Sequence, residues 1–583
     1  MAASIQRHAV PNLADASFPI DLSPMLGRVF MARGARCSDD IDLSMSSLLS
    51  PSLLMGIDAA ADLIIAAMES DARILIVGDF DADGATSCAL AIRAFEAMGH
   101  SDVRFIVPNR FEYGYGLTPE IVDLAKPQNP SLIITVDNGI SSIDGVAAAR
   151  AAGIDVLVTD HHLPGHQLPN ANVIVNPNQH GCEFPSKSLA GVGVIFYVMS
   201  AVRAGLRKKQ WFNDQRKEPN MADFLDLVAL GTVADVVPLD KNNRILVEQG
   251  LRRIRVGKCS AGIRALIEVS GRSAAKLIAS DMGFALGPRL NAAGRLDDIS
   301  IGIACLLTND VAMAKDIATE LDSMNQDRRQ IEQGMQVQAE TALARLEQDK
   351  STELPIGMCL FNDEWHQGVV GILASRIKDL HQRPVICFAL ANDSEDCSEL
   401  KGSARSIKGF HIRDALDAVA AHNPGLIDKF GGHAMAAGLS LKKDRFADFS
   451  KAFNKEASRL LTEDDLQSCV MSDGALAPDE ITIDNATLIH YATPWGQLFP
   501  EPIFDNEFLV VQQRIVGSKH LKLVLGMDDG TGQIVDAIAF NIDIKAWPDE
   551  SVKRVRAAYR LDVNRFRGQE TVQLIIEHLE KVS

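Results

Sequence analysis

Between residues 70 and 240 the chain repeats one alternation: a short apolar run rich in β-branched residues, then a stretch with helical spacing. The runs are Ile74-Leu75-Ile76-Val77, Val103 to Val107, Leu132 to Val136, Val156-Leu157-Val158 and Val173-Ile174-Val175. None alternates strictly between apolar and polar side chains, so each suits a strand buried on both faces. Ala85–Met98 and Ser142–Ala152 read as the crossover helices that cover those faces. Few folds accept this pattern. The one it fits is an α/β domain with a doubly wound, mostly parallel sheet.

Ligands of an open α/β sheet bind beyond the carboxyl ends of its strands, and this sequence concentrates its acids there. Ile74–Val77 runs into Gly78-Asp79-Phe80-Asp81-Ala82-Asp83-Gly84, Leu132–Val136 into Asp137-Asn138-Gly139, and Val156–Thr159 into Asp160-His161-His162. A later apolar helical run ends in Gly231-Thr232-Val233-Ala234-Asp235. Each motif alone has an ordinary reading. Asp137-Asn138-Gly139 is a common turn, and His161-His162 fits a turn or a core pair. An EF-hand is excluded for Asp79–Gly84, because Gly84 leads into an apolar helix and no Glu closes a twelve-residue loop. Three strand ends converging on one edge point instead to a cation site. Gathered carboxylates repel one another and are costly to desolvate unless cations neutralise them. Asp oxygens with imidazole nitrogen suit Mn²⁺ or Mg²⁺. An Asp shared between two such ions would hold them about 3.5–4 Å apart, the arrangement that clamps an in-line phosphoryl displacement.

The net charge of −18 argues against a uniformly basic nucleic-acid binder. Its distribution is uneven, however. Arg244 to Lys276 holds eight basic residues against two acidic, and Ser551 to Arg567 six against one. These runs are either solvated faces or grips for a phosphate backbone. The nine cysteines are scattered with no C-x-x-C pair, which excludes a disulfide framework or thiolate zinc site and fits reduced, buried thiols. No run of apolar residues is long enough for a membrane span, and MAASIQRHAVPNLADASF lacks the basic start and apolar core of a signal peptide. The expected location is the cytoplasm.

Five units are expected. Residues 1–50 carry no firm periodicity and read as a lead-in; 51–309 form the catalytic α/β domain. Residues 310–350 place Ile317, Leu321, Met324, Ile331, Met335, Leu343 and Leu346 at helical spacing without a proline. They predict one long connecting helix, on the order of 60 Å at about 1.5 Å per residue. Residues 351–460 form a second α/β domain. Residues 461–583 begin with an acidic linker, Thr462 to Asp484, and continue as strands Leu521–Gly526 and Val572–Ile576 around the turn Asp528-Asp529-Gly530-Thr531-Gly532. That tail predicts a small β-barrel of OB-fold type.

With these residues in view the chain resembles the DHH phosphoesterase superfamily, named for the motif present here as Asp160-His161-His162. All four acidic motifs match: DFDADG, VDNG, DHH and ADV. Gly431-Gly432-His433-Ala434-Met435-Ala436-Ala437-Gly438 resembles the glycine-rich segment of the accompanying DHHA1 domain. Trp365 to Ile372, Gly402-Ser403-Ala404-Arg405-Ser406, Leu286 to Arg295 and Pro494-Trp495-Gly496 narrow the likeness to the superfamily's single-stranded-DNA exonuclease branch. The resemblance spans nearly everything after residue 50. It implies that Asp81, Asp83, Asp137, His161 and Asp235 hold two divalent cations, Mn²⁺ or Mg²⁺, with Asp137 bridging. Asp79 and Asp160 would orient those ligands, and His162 would face the scissile phosphate as general acid or as positioner of the leaving group. It further implies that Ser403 and Arg405, with Arg110, hold the 5′-terminal phosphate, and that Arg289 adds a phosphate contact. Arginine suits that role through its planar fork of donors. Tyr115 or Phe111 would stack on a base or serve as core. His433 is either a phosphate contact or a satisfied turn histidine.

The implied activity is hydrolysis of single-stranded DNA from the 5′ end to 5′ mononucleotides, in repair and recombination. The strand would thread between the two α/β domains, gripped by the barrel and the basic runs. Two other classes compete. One is a phosphoesterase acting on pyrophosphate, nanoRNA or cyclic dinucleotides, which would not need the long helix and the barrel. The other is a non-catalytic scaffold on the same fold, which would have lost ligands that this chain keeps. Single-stranded DNA is the expected partner, joined by a single-strand-binding protein and a RecQ-type helicase; no membrane and no small organic cofactor are expected.

Overall fold

A computed structural model describes residues 4–9, 15–108, 116–348, 354–391, 398–462, 464–467, 469–517, 519–527, 532–542, 546–566 and 568–582. The first sheet has five strands, all parallel, in the order Val103–Ile106, Ile74–Gly78, Leu132–Val136, Asp155–Thr159, Val173–Val175. Ile74–Gly78 and Leu132–Val136 are buried along their whole length, as their uninterrupted apolar character demands. Alternate residues enter separate cores: Ile74, Ile76, Leu132 and Ile134 on one face, Leu75, Val77, Ile133 and Val156 on the other. The strand order reverses between Ile74–Gly78 and Leu132–Val136, so the crevice of a doubly wound sheet opens between the loops that carry Asp79 to Asp83 and Asp137.

The predicted connecting helix is Val311–Gln348, 38 residues long. Ala314, Ala318 and Leu321 join the core of the first domain, whereas Met335, Ala339 and Leu343 join the core under the second sheet. That sheet is mixed, in the order Lys429–Gly432, Ala436–Lys442, Glu399–Arg405, Val385–Leu390, Met358–Phe361, with only the last pair parallel. The tail forms a closed five-stranded barrel from Phe504–Val516, His520–Met527, Ile534–Ala539, Arg554–Phe566 and Gln569–Val582. Of the expected turn Asp528–Gly532, only Gly532 lies among the described residues.

Two segments without legible periodicity are structured through distant partners. In the lead-in, strand Ser4–Arg7 pairs in parallel with Cys469–Ser472 of the expected linker, and Arg33 is bonded to Asp473 through two nitrogens at 2.8 and 3.0 Å. Arg7 reaches Asp505 at the start of the barrel, at 2.8 Å. Helix Ile483–Ala492 starts at the end of the expected linker and continues beyond it. Part of each basic run is ion-paired within the chain. Arg252 pairs with Glu248, Arg253 with Asp223, Arg272 with Asp281, Arg556 with Asp505, and Arg560 with Glu501 and Glu577. Lys276 and Arg565 share Glu570, which ties the first domain to the barrel. These seven of the fourteen basic residues thus have partners within the chain.

Candidate metal centre and phosphate pocket

Each acid of the first domain is held by local structure that its sequence explains. Asp81 is the N-cap of helix Ala82–Ala97, and its Oδ1 accepts from Asp83 N at 2.9 Å and Gly84 N at 3.1 Å. Gly84 is obligatory: a Cβ there would stand 2.3 Å from Asp79 O. Asp83, in the first turn, accepts from Gly191 N at 2.7 Å and Val192 N at 2.9 Å, the free donors at the start of helix Gly191–Lys208. Gly191 is equally constrained, since a Cβ would stand 2.6 Å from Asp137 Oδ1. Asp137 occupies the left-handed region with φ +62°, turning its carboxylate back over the strand end. Asp160 Oδ1 accepts from His161 N at 2.7 Å and His162 N at 3.1 Å, and its Oδ2 from Ile140 N at 2.9 Å. It lies 2.7 Å from His162 Nδ1. Asp160 thus sets the turn that carries both histidines. Asp235 caps the C-terminal end of helix Leu225–Ala234.

Together these residues form three overlapping sets whose ligand atoms all fall within 4.8 Å: Asp79, Asp81 and Asp137; Asp83, His161 and Asp235; and Asp137, His161 and His162. Asp137 belongs to two of the three. The geometry fits divalent cations. His161 Nε2 is buried and makes no hydrogen bond to any described residue, yet it stands 3.1 Å from Asp137 Oδ1, 3.4 Å from Asp235 Oδ2 and 3.9 Å from Asp83 Oδ2. Neighbouring ligands on an octahedral ion with bonds of about 2.1 Å lie about 3 Å apart. The charges fit as well. Burial, then the neighbouring carboxylates, push Asp83 up to about 7 and lift Asp137 and Asp235 well above the usual carboxylate range. Burial, with His162 adding to it, drops His161 to about 4, leaving a neutral imidazole able to ligate. Burial also pulls His162 down, but the hydrogen bond and charge of Asp160 outweigh it and hold His162 at about 9, protonated at neutral pH. Asp79, expected only to orient ligands, stands among the atoms able to bind directly.

The second sheet approaches this cluster at His433 and carries basic and hydroxyl side chains beside it. Strand Glu399–Arg405 carries Ser403 and Arg405, and Arg405 Nη1 donates to Ala404 O at 2.8 Å and to Ser403 Oγ at 3.3 Å. Above them starts helix Val370–His381. A Cβ on Gly371 would lie 2.9 Å from Ser403 Oγ and 3.0 Å from Arg405 Nη2, so glycine lets the helix start close upon both side chains. A helix start, a hydroxyl and a guanidinium are donors suited to an anion. Their neighbour is the turn after Lys429–Gly432. His433 N donates to Ala436 O at 2.8 Å, and Ala436 is paired with Arg405. The His433 ring lies within electrostatic reach of His162; burial first, then that neighbour, lowers its affinity for a proton.

One expectation needs a different account, and others fall outside the described residues. Arg289 does not join the site: it is buried, with Nη2 2.7 Å from Asp322 Oδ1 of the connecting helix and Nη1 donating to Ala285 O. It locks the long helix to the catalytic domain, and freeing it for phosphate would break a buried ion pair. Arg110, Tyr115 and Phe111 lie outside the described residues. Conversely, the sequence reading gives Asn291 no role, yet its Oδ1 accepts from Ala82 N at 2.8 Å and pins the acidic loop. Gly294 packs so tightly on that loop that a Cβ would stand 1.9 Å from Phe80 O. The signal was the run Gly287-Pro288-Arg289-Leu290-Asn291-Ala292-Ala293-Gly294, whose small residues mark a close approach.

A parallel sheet with acids at its switch point, facing an anion site on a second domain, defines a DHH-type phosphoesterase. Profiles of the DHH family N-terminal domain, the DHHA1 domain and the RecJ OB domain match residues 73–232, 355–459 and 472–578. The chain is 55% identical to the single-stranded-DNA-specific exonuclease RecJ of Dickeya dadantii (strain 3937) over 567 residues, 97% of this chain and 97% of that protein. The crystal structure of RecJ from Thermus thermophilus in complex with Mn²⁺ superposes with a TM-score of 0.80 at 28% identity, covering 100% of this chain and 80% of that one. Its complex with Mg²⁺ gives a TM-score of 0.75 at 27% identity, covering 100% and 79%. The chain belongs to the RecJ family.

Proposed function

We propose that the protein is a divalent-cation-dependent exonuclease that degrades single-stranded DNA from its 5′ end, using Mn²⁺ or Mg²⁺. The observation that carries this reading is an acidic cluster approached by a second domain, whose His433 lies within electrostatic reach of His162 and whose neighbouring strand carries Ser403 and Arg405. Two anion-handling sites suit a substrate with two phosphates in fixed relation, the terminal one and the next along the chain. Asp79, Asp81, Asp83, Asp137, His161 and Asp235 would hold the cations, which supply charge neutralisation at the scissile phosphate and activate water. Asp160 keeps His162 protonated and oriented toward the leaving oxygen. Ser403, Arg405 and the helix start at Gly371 receive the terminal phosphate.

Hydrolysis adds hydroxyl to the second phosphorus, and the proton goes to the departing 3′-oxygen of the first nucleotide. The products are a 5′ mononucleotide and a strand that again begins with a 5′-phosphate, so the same pocket can receive it in the next cycle. A cleft of about 960 Å³ adjoins the acidic loop, lined by Asn291 and Arg295, by Arg329 of the connecting helix, by Arg376 of the second domain and by Lys519 of the barrel. Its size, and its five basic side chains against the two acids Glu332 and Glu340, favour a polymer over pyrophosphate or a dinucleotide. No single helix among the described residues is long and apolar enough to cross a membrane, and we place the enzyme in the cytoplasm. A single-strand-binding protein and a RecQ-type helicase are the partners proposed to present its substrate.

The test uses 5′-phosphorylated single strands labelled at either end, with Mn²⁺, Mg²⁺ or EDTA. The 5′ label should leave at once as mononucleotide while the 3′-labelled strand shortens stepwise, only with metal. Release of the 3′ label first would overturn the polarity. Hydrolysis of pyrophosphate or dinucleotides with survival of the long strand would overturn the substrate class.

A further inference from the structure

One acid of the metal cluster, Asp235, does not come from a strand end, and its loop is fastened by a different part of the chain. The next residue, Val236, has φ +59°, a conformation disfavoured for a β-branched side chain. Val236 is 62% exposed, so its own packing does not hold it there. The restraint comes from the flanks. Asp235 N donates to Gly231 O at 2.9 Å, and Val237 and Leu239 are buried. Asn243 Nδ2 donates to Pro238 O at 2.9 Å and Ser188 O at 2.7 Å. Leu239 N donates at 2.8 Å to Gln497 O, in the segment before the barrel.

That segment is a rigid knot. Trp495 and Phe499 stack at 5.6 Å, Phe30 of helix Pro24–Ala32 packs on both, and the Arg244 guanidinium lies 4.0 Å from the Phe499 ring. Gly496 touches the loop directly, since a Cβ there would stand 2.7 Å from Leu239 Cδ1. The knot thus draws residues from the lead-in, the catalytic domain and the tail. Its Gln497 carbonyl and its smallest residue meet the loop that bears Asp235.

We infer that the turn Trp495–Phe499 braces Asp235, with Gly496 and Leu239 as positioning residues that set the affinity of the cation site formed by Asp83, His161 and Asp235. The inference rests on the reading of Asp235 as a cation ligand. Strain held by the surroundings is a recognised means of fixing a functional geometry, and supports of metal ligands typically change metal affinity about 10–100-fold when altered.

The experiment is a Mn²⁺ titration of the full chain without DNA, following the free ion by electron paramagnetic resonance, alongside thermal melting. Gly496→Ala should weaken one class of Mn²⁺ site about tenfold, and adding Leu239→Val, which removes the clashing methyl, should restore it. Val236→Gly should weaken the same site without lowering the melting temperature, because glycine relieves the backbone while loosening the loop. Asp235→Asn is the control. If it leaves Mn²⁺ binding unchanged, the ligand assignment itself fails. If it weakens binding whereas Gly496→Ala lowers only the melting temperature, or Leu239→Val does not restore the site, the brace alone is overturned.

Discussion

The two α/β sheets that meet at the cleft treat charge in opposite ways. The parallel sheet collects carboxylates at its strand ends until burial and mutual repulsion push Asp83 to about 7 and Asp137 well above its ordinary range. That half is incomplete without cations. The mixed sheet presents Ser403, Arg405 and a helix start, donors that in the proposed reading receive an anion without a metal. The proposed reading assigns metal dependence to one half of the cleft and end recognition to the other, and the two can be separated by experiment.

The largest effect should come from Asp137→Ala. Removing the carboxylate shared by two ligand sets should lower turnover by about 10³-fold or more, with single-strand binding retained in a filter or anisotropy assay. Arg405→Ala should act on the other half. Loss of a charge-assisted contact of about 1.5–3 kcal/mol should lower kcat/KM for 5′-phosphorylated strands roughly 10- to 150-fold, and far less for strands with a 5′-hydroxyl. An equal loss on both substrates would break the division. A smaller effect should appear in thermal melting: Mn²⁺ at about 100 times its Kd should add about 2.7 kcal/mol of stability. That gain should persist in Arg405→Ala and shrink in Asp137→Ala.

The smallest effect lies outside both sheets. Asp505 is fully buried and bonded to Arg7, Ser472 and Arg556. Burial raises its proton affinity, but those hydrogen bonds prevail and hold it at about 2. A depressed carboxylate stabilises the fold above its ordinary value near about 4, and that contribution is lost as pH falls from about 4 through about 2. Asp505→Asn should cost about 2 kcal/mol of stability at neutral pH and flatten the acid limb of a melting profile, while kcat changes little.

Legibility followed the same division. The parallel sheet was readable because burial on both faces writes itself as unbroken apolar runs: the expected strands Ile74–Val77 and Leu132–Val136 are observed as Ile74–Gly78 and Leu132–Val136. The acids were readable because strand ends are where such sheets bind ligands. The helix expected over 310–350 is Val311–Gln348, since a 3.6-residue repeat over so many turns admits little else. Tertiary partners were not readable. Strand Ser4–Arg7 exists because Cys469–Ser472 lies beside it, far away in sequence. The ion-pair partners of the basic runs were not readable, because nothing local reveals that Glu570, Asp505 and Glu577 await them. Arg289 shares a motif with true neighbours of the metal loop, but its helix turns it toward Asp322.

The most direct test is a crystal structure with Mn²⁺ and a 5′-phosphorylated oligonucleotide made resistant to hydrolysis. The expected result is anomalous density among Asp79, Asp81 and Asp137 and among Asp83, His161 and Asp235, with the terminal phosphate against Ser403 and Arg405 and the next phosphate over the metals. A terminal phosphate bound elsewhere, or a strand entering by its 3′ end, would contradict the division of the cleft into a metal half and an end-recognition half.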